Sequence, residues 1–333
     1  MGHGVCGPRD STLPGPAIGH VLPADRLPGL PESGQNSRLP PFKRLDTNFT
    51  RVTRARPALN ASSTFLATSG DGYELNMGRW SRRLAVPFLH FAGTSDAEWV
   101  LDVGCGTGHL AAAVARLSDP ARVDGVDLSS AYIEHAKAHC SDSRLFFQVG
   151  DACNLEFADG TFDRVLALLV LHFVPRWREA LVEMRRVAKP GAIVAAAVWD
   201  ARGGFVSNRM FFDTAAALDE QAGERRAKNY ARPLTRPGEL GAAWREAGLL
   251  DVTETVLHIR MEFTSFADYW APLVGQDGPG AEYVRTLSAA DRERLERALR
   301  AAYTDGEPDG PRSYAALAWA VKGVKPSDPI RAT

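Results

Sequence analysis

The chain has 333 residues, 45% of them hydrophobic and 24% charged, which is enough apolar material for one large core or two smaller ones. A formal net charge of -1 gives no electrostatic reason to expect nucleic acid as a partner, and no apolar run approaches the length that crosses a bilayer, so membrane insertion is not expected. The four cysteines, Cys6, Cys105, Cys140 and Cys153, form no CxxC pair and no metal-ligand spacing; reduced thiols, a cytoplasmic setting and no structural zinc are expected.

Residues 1–70 are rich in proline and glycine, lack hydrophobic periodicity and carry more Arg and Lys than acid, the composition of a disordered tail. A targeting segment is the alternative for this acid-poor stretch, but its prolines break any amphipathic helix, and no charged segment leads into an apolar one as secretion requires.

From Tyr73 onward short apolar runs alternate with amphipathic segments, the pattern of a parallel sheet covered by helices. Strands are expected at Trp99 to Val103, Arg122 to Val126, Leu145 to Val149, Arg164 to Val170 and Ala192 to Val198, each apolar and bounded by turn residues. Helices are expected at His109 to Leu117, Ser130 to His139 and Trp177 to Val187, the last closed by Lys189-Pro190-Gly191. Beyond Trp199 the sequence predicts an apolar segment from Phe205 to Leu218, a helix from Pro237 to Ala247 and a strand from Val252 to Met261. Helices through Ser265 to Tyr303, including an amphipathic Ala289 to Ala302, and a final apolar run Tyr314 to Val321 complete the pattern.

The strongest local signal is Asp102-Val103-Gly104-Cys105-Gly106-Thr107-Gly108, directly after the first strand and directly before a helix. Glycines there allow a tight turn and the close approach of a ligand, and the helix that follows supplies unpaired N–H groups. Alone this is ambiguous. Gly106-x-Gly108-x-x-Ala111 also satisfies the relaxed dinucleotide fingerprint, with Asp127 near the distance of a ribose-binding acid, so an NAD(P)-dependent oxidoreductase is an alternative. Asp102 argues the other way, since it offers a carboxylate where a methionine amino group would lie. Asp127 followed by Leu128 suits a ribose and an adenine in either case, and Gly150-Asp151-Ala152 ends the third strand where an acid can accept the adenine amine.

In this order the motifs resemble those of the class I S-adenosylmethionine-dependent methyltransferases, over about Tyr73 to Gly323, and in particular the small-molecule members of the ubiquinone and menaquinone biosynthesis type. The acid and glycine turn at Asp102 to Gly108, Asp127, Gly150 to Ala152 and Lys189 to Gly191 carry the resemblance. It implies an α/β, Rossmann-like fold: a seven-stranded, mostly parallel sheet with helices on both faces, the last strand antiparallel and inserted beside the fifth. It implies S-adenosyl-L-methionine as cofactor, held by Asp102, Gly104, Cys105, Gly106, Gly108, Asp127, Leu128, Asp151, Ala152 and Leu168. Tyr73 to Trp80 resembles the stretch that covers the cofactor, which adds Tyr73 and Arg79; an amphipathic helix packed on the sheet edge is the other reading of that stretch. The expected organisation is a domain over residues 71–323 with an added helical cap from insertions at about 201–235 and 264–312, followed by a flexible C-terminus, 324–333.

Methyl transfer from a sulfonium chiefly requires that the nucleophile be held in line and water kept out. Where a base is needed the candidate is His172, just past the carboxyl end of the fourth strand, where ligands bind in open α/β sheets; its alternative role is to shape the pocket. His135 and His139 share a helix face without a third metal ligand and are expected to be solvated. Trp199 and Asp200 fall near the same rim, and Met210, Phe211, Phe212, Tyr269 and Trp270 lie in the two insertions. If they face the pocket the acceptor is a small apolar or aromatic molecule; packing of the cap itself explains them equally well. A cofactor-binding module without catalysis is the non-enzyme alternative.

Overall fold

The computed structural model describes residues 63–65 and 67–327. The tail expected over residues 1–70 lies outside the described residues as far as 62, as do the last six residues of the expected C-terminal segment.

A helix opens the described chain: α1 (Gly70–Tyr73), a π-helical turn Glu74–Gly78 and α2 (Arg79–Ala92) follow one another without a break. Then come β1 (Trp99–Val103), α3 (His109–Leu117), β2 (Arg122–Asp127), α4 (Ser130–His139), β3 (Leu145–Val149), β4 (Phe162–Leu168), α5 (Trp177–Val187) and β5 (Ala188–Trp199). The second half supplies α6 (Val206–Leu218), α7 (Glu220–Tyr230), α8 (Glu239–Glu246), β6 (Leu250–Phe263), α9 (Phe266–Trp270), α10 (Pro279–Val284), α11 (Ala289–Thr304) and β7 (Arg312–Val324).

The seven strands make one sheet in the order β3-β2-β1-β4-β5-β7-β6. The first five are parallel, and β7 runs antiparallel between β5 and β6, as the resemblance implies. Chain order reverses between β1 and β4, so the crevice for a ligand opens at the carboxyl ends of these strands. Both faces are covered over the central strands, whereas the edge strands β3 and β6 leave Phe146, Val149, Leu250 and Val256 exposed. On one, α5 and α8 pack Leu181, Met184, Leu240 and Trp244 against Leu101, Val165 and Val194, and the Trp244 indole donates to the Val194 carbonyl at 2.8 Å. On the other, α2, α3 and α4 pack Leu84, Phe88, Leu110 and Ile133 against Val100, Val123 and Leu166.

Three expectations are corrected. The fourth strand ends at Leu168 rather than Val170, because Leu169 takes a left-handed backbone (φ +62°) that no strand continues through. Lys189-Pro190-Gly191 does not close a helix; it lies inside β5, where the register with β4 shifts between Phe162 and Arg164. Helix α7 was not expected. Its sequence, EQAGERRAKNY, buries only Ala222 and Asn229 and carries no apolar stripe, and its start is fixed by the Asp219 carboxylate, which caps the Gln221 N–H.

Candidate functional site

At the carboxyl end of β1 the chain turns sharply, and the Gly104 and Cys105 amides both donate to the Val126 carbonyl at 2.7 and 3.0 Å. Gly104 has φ +70°, and a Cβ there would stand 2.4 Å from Val170; only glycine fits. Gly106, at φ +54°, donates its amide to Asp127 Oδ2 at 2.9 Å. The other Asp127 oxygen accepts the Ser129 amide at 2.9 Å. Each oxygen keeps a lone pair for a further donor. Burial pushes the Asp127 carboxyl above its ordinary range despite these N–H donors.

The cleft beside this turn is lined by Gly104, Gly106, Asp127, Leu128, Asp151, Ala152, Leu168 and Tyr73, together with Tyr132. Leu128 holds 49% of its surface in the open, which suits a flat apolar ring laid against it. Asp151 accepts the Cys153 amide at 2.8 Å and the Arg176 guanidinium at 3.2 Å. Asp102, Cys105 and Gly108 stand behind the lining: Asp102 is buried beneath the turn, with Oδ2 on the Ala111 amide at 3.2 Å and Oδ1 without a partner among the described residues. Burial, reinforced by Asp127, pushes its carboxyl up to about 8. Arg79 is turned away; its guanidinium pairs with Asp268 at 3.0 Å and lies over the Trp80 ring.

The helical segment at residues 70–92 lies over the turn through its π-helical bulge, a device often found at functional sites. Glu74 accepts Thr107 Oγ1 at 2.6 Å and lies 2.7 Å from His109 Nε2. Burial opposes its ionisation, but these two partners outweigh it and hold Glu74 below the ordinary range. Tyr73 places its ring 3.7 Å from the position of a Gly106 Cβ and its hydroxyl 2.8 Å from Ser81 Oγ. Ahead of it, Ser63, Phe65, Ala67 and Thr68 also line the cleft. This strap is fastened to the loop between α9 and α10, where the buried Asp277 accepts Thr68 N at 2.8 Å, Thr68 Oγ1 at 2.5 Å and Ser69 N at 3.3 Å.

A second cavity, with about 1040 Å³ of empty space including its open mouth, adjoins the cleft and shares Phe65, Tyr73, Leu169 and Phe173 with it as a common wall. Trp80, Trp199, Phe205, Phe211, Phe263 and Tyr269 make it apolar and aromatic. Of the aromatic residues expected near this rim, Phe212 and Trp270 are instead core packing: Phe212 is buried against Phe211, and Trp270 stacks on Phe266. Asp200 forms a turn with the Arg202 and Gly203 amides. His172, on the one-turn helix Leu171–Phe173, lines the chamber, and its Nδ1 is buried without a partner among the described residues. Burial, aided by the nearby Arg232 cation, holds it well below the ordinary range of a histidine, so it is neutral at pH 7.

His135 is not solvated. Its ring stacks on His139 with centroids 3.9 Å apart and approaches Asp71 at 3.6 Å.

Sequence reasoning did not find Asn229 and Arg232, which line the chamber, or Asp277. The one available signal was Asn229 itself, an amide in a charged helix just ahead of Arg232-Pro233.

The residues present fit S-adenosylmethionine: a cradle that a Cβ would fill, a carboxylate with spare acceptor capacity at the end of β2, an exposed leucine beside it, and an unpartnered buried carboxylate oxygen beneath the turn. The family model for a methyltransferase domain matches residues 101–196, from β1 through most of β5. A demethylmenaquinone methyltransferase of Halalkalibacterium halodurans is 32% identical over 170 residues, 47% of this chain and 69% of that protein. A sterol 24-C-methyltransferase of Eremothecium gossypii is 34% identical over 135 residues, covering 39% of this chain and 35% of its own. For an erythromycin 3''-O-methyltransferase of Saccharopolyspora erythraea the figures are 32% over 164 residues, 43% and 53%. The chain thus spans between about a third and a half of the length of these last two relatives. Among the described residues no helix is long and apolar enough to cross a membrane. With the glycine turn, the inserted antiparallel strand and the match across two thirds of the H. halodurans enzyme all in agreement, the chain belongs to the class I S-adenosylmethionine-dependent methyltransferase superfamily.

Proposed function

We propose that the chain transfers a methyl group from S-adenosylmethionine to a small, largely apolar or aromatic acceptor held in the chamber beside the cleft. The observation that carries this is the common wall: Phe65, Tyr73, Leu169 and Phe173 border both cavities. The helices at about 201–235 and 264–312 act as a cap over the chamber, since α6, α9 and α10 and their flanking loops contribute much of its lining. These elements lie beyond residues 101–196, the part matched by the family model.

When bound, the cofactor supplies an electrophilic methyl group on a sulfonium. Asp127, its two oxygens held in place by the Gly106 and Ser129 amides, would accept the ribose hydroxyls. Leu128 and Ala152 would pack on the adenine, and Asp151, anchored by Cys153 and Arg176, would accept from its amine. Ser63, Phe65, Ala67, Thr68 and Tyr73, which line the cleft, would exclude water from it around the cofactor, which strengthens every charge interaction inside it. His172, neutral at pH 7, accepts the acceptor's proton at Nδ1 when that proton has to leave.

Calorimetric titration with S-adenosylhomocysteine, NADH and NADPH, on wild type and Asp127→Ala, tests the cofactor. Binding of the first alone, weakened at least about a hundredfold by losing two hydrogen bonds to a charged group, is the expected result. Binding of a nicotinamide cofactor instead would overturn the reading. Transfer of labelled methyl to a panel of apolar acceptors then separates an enzyme from a binding module.

A further inference from the structure

Arg232 is the only side chain lining the acceptor chamber that carries a full charge at pH 7, and no carboxylate lines the chamber among the described residues. It comes from the loop after α7. Its Nε donates to Asn229 Oδ1 at 3.0 Å, its Nη1 to Thr64 Oγ1 at 3.3 Å, and its guanidinium lies 4.2 Å over the Phe173 ring. Every one of these partners is neutral. Its side chain is half-buried, and the one carboxylate whose charge acts on it among the described residues, Glu282, forms no ion pair with it. Two further polar groups in the same chamber are also without partners among the described residues, and both residues are more than nine-tenths buried: Asn229, 7% exposed, with Nδ2 unbonded, and His172, 4% exposed, with Nδ1 unbonded.

A half-buried cation among neutral partners, with an unsatisfied amide donor beside it, is built to receive an anion. We propose that the acceptor carries one anionic oxygen group, a carboxylate or an ionised phenol, that binds Arg232 and Asn229 Nδ2 while its apolar body fills the aromatic end of the chamber. Because Arg232 lies on Phe173, a residue of the common wall, the anionic end of the acceptor faces the cofactor cleft. Trp199, Phe205 and Phe211 then receive the rest. A cation in that position also favours the ionised form of a weakly acidic oxygen, the form that is nucleophilic.

This inference rests on reading the chamber as the acceptor site, and its test is separable from that reading. The probes are 2-naphthoate and 2-naphthamide, alike in shape and differing in charge, titrated into the full chain with and without S-adenosylhomocysteine. Wild type is expected to bind the carboxylate at least tenfold more tightly than the amide. Arg232→Met should bring the two within twofold of each other, and Arg232→Lys should retain most of the preference. Arg232→Gln serves in place of the first variant if that does not fold, as judged by thermal unfolding. Equal binding of both probes by wild type, a preference that survives Arg232→Met, or binding of neither probe overturns the inference. S-adenosylhomocysteine binding, measured alone, reports on the proposed function independently: a chain that binds it but shows no charge preference loses only the inference. One that shows the preference but does not bind it keeps an anion subsite at Arg232 and loses the methyltransferase reading, and with it the identification of that anion as a methyl acceptor.

Discussion

Replacing Asp102 by asparagine should make the protein more stable and the cofactor site worse. Asp102 lies beneath the glycine turn, 1% exposed, with one oxygen on the Ala111 amide and the other unpartnered among the described residues. Its carboxyl titrates at about 8 in the folded chain, against 3.8 ordinarily. For an acid raised in this way the folded state holds a proton that the unfolded state has released, so stability falls as pH rises between those two values and levels off above 8. The slope is about 1.4 kcal/mol per pH unit, which sums to about 4 kcal/mol by pH 7. Asparagine keeps an oxygen for the Ala111 amide and never ionises. Allowing about 2 kcal/mol for an amide donor left unpaired, Asp102→Asn gains about 2 kcal/mol at pH 7. For a domain of this size that raises Tm by about 4 to 8 °C. The same substitution removes an acid that a bound ammonium group would draw into its ionised form, so S-adenosylhomocysteine should bind about tenfold more weakly. Thermal unfolding of both proteins from pH 5 to 8, together with calorimetry at pH 7, reads both effects. A variant less stable than wild type at pH 7, with an unchanged pH slope, would refute the reasoning, because Oδ1 would then be making a structural contact as a carboxylate.

Gly104→Ala forces an alanine to φ +70° and its Cβ to within 2.4 Å of Val170; Tm should fall by several degrees and cofactor binding should be lost, with the double variant Gly104→Ala/Val170→Ala recovering only the steric part. Asp277→Ala removes three bonds that hold the strap. Hydrogen exchange at residues 67–73 should accelerate and S-adenosylhomocysteine should dissociate about tenfold faster; unchanged exchange there would show that the strap is held by something else. His172, depressed by burial and by Arg232, stays neutral when the unfolded chain takes up a proton, so it contributes stability above pH 6.5 that is lost as pH falls below that value. His172→Gln should flatten the decline as pH falls through and below 6.5, and an unaltered decline would mean that His172 is charged in the folded chain.

The half of the molecule nearest the glycine turn was legible because its physics is local. A strand buried on both faces is an unbroken apolar run, a turn requiring positive φ is a glycine, and helices such as α4 declare their start with a capping serine. Where a backbone irregularity served the site, the pattern failed. Leu169 reads as one more residue of an apolar strand, yet its left-handed backbone ends β4 and swings His172 into the chamber. Helix α7 fails the opposite test: it lacks the apolar stripe from which helices are inferred, being tied down by Asp219, which caps it and accepts the Tyr283 hydroxyl at 2.8 Å. Asn229 and Arg232 were missed with it. Arg79 was assigned to the cofactor by position in a covering segment, but its partner Asp268 is 189 residues away, and no local pattern reports a contact of that range.

What distinguishes this site is where the chain tolerates unfavourable chemistry. Asp102, Tyr132, His172 and Asn229 each keep a buried polar atom unpaired among the described residues, and three of the four line one cavity or the other. Leu169, a branched residue at positive φ, stands in the wall between the cavities, and the π-helical bulge lies directly over the turn. Each such feature costs about 1 to 3 kcal/mol, and a protein with a net stability of about 5 to 15 kcal/mol can hold several only because the central strands of its sheet are buried on both faces. A core optimised for stability alone would have removed them. Tyr132, Leu169, His172 and Asn229 line the two cavities, and Asp102 lies beneath the glycine turn between β1 and α3.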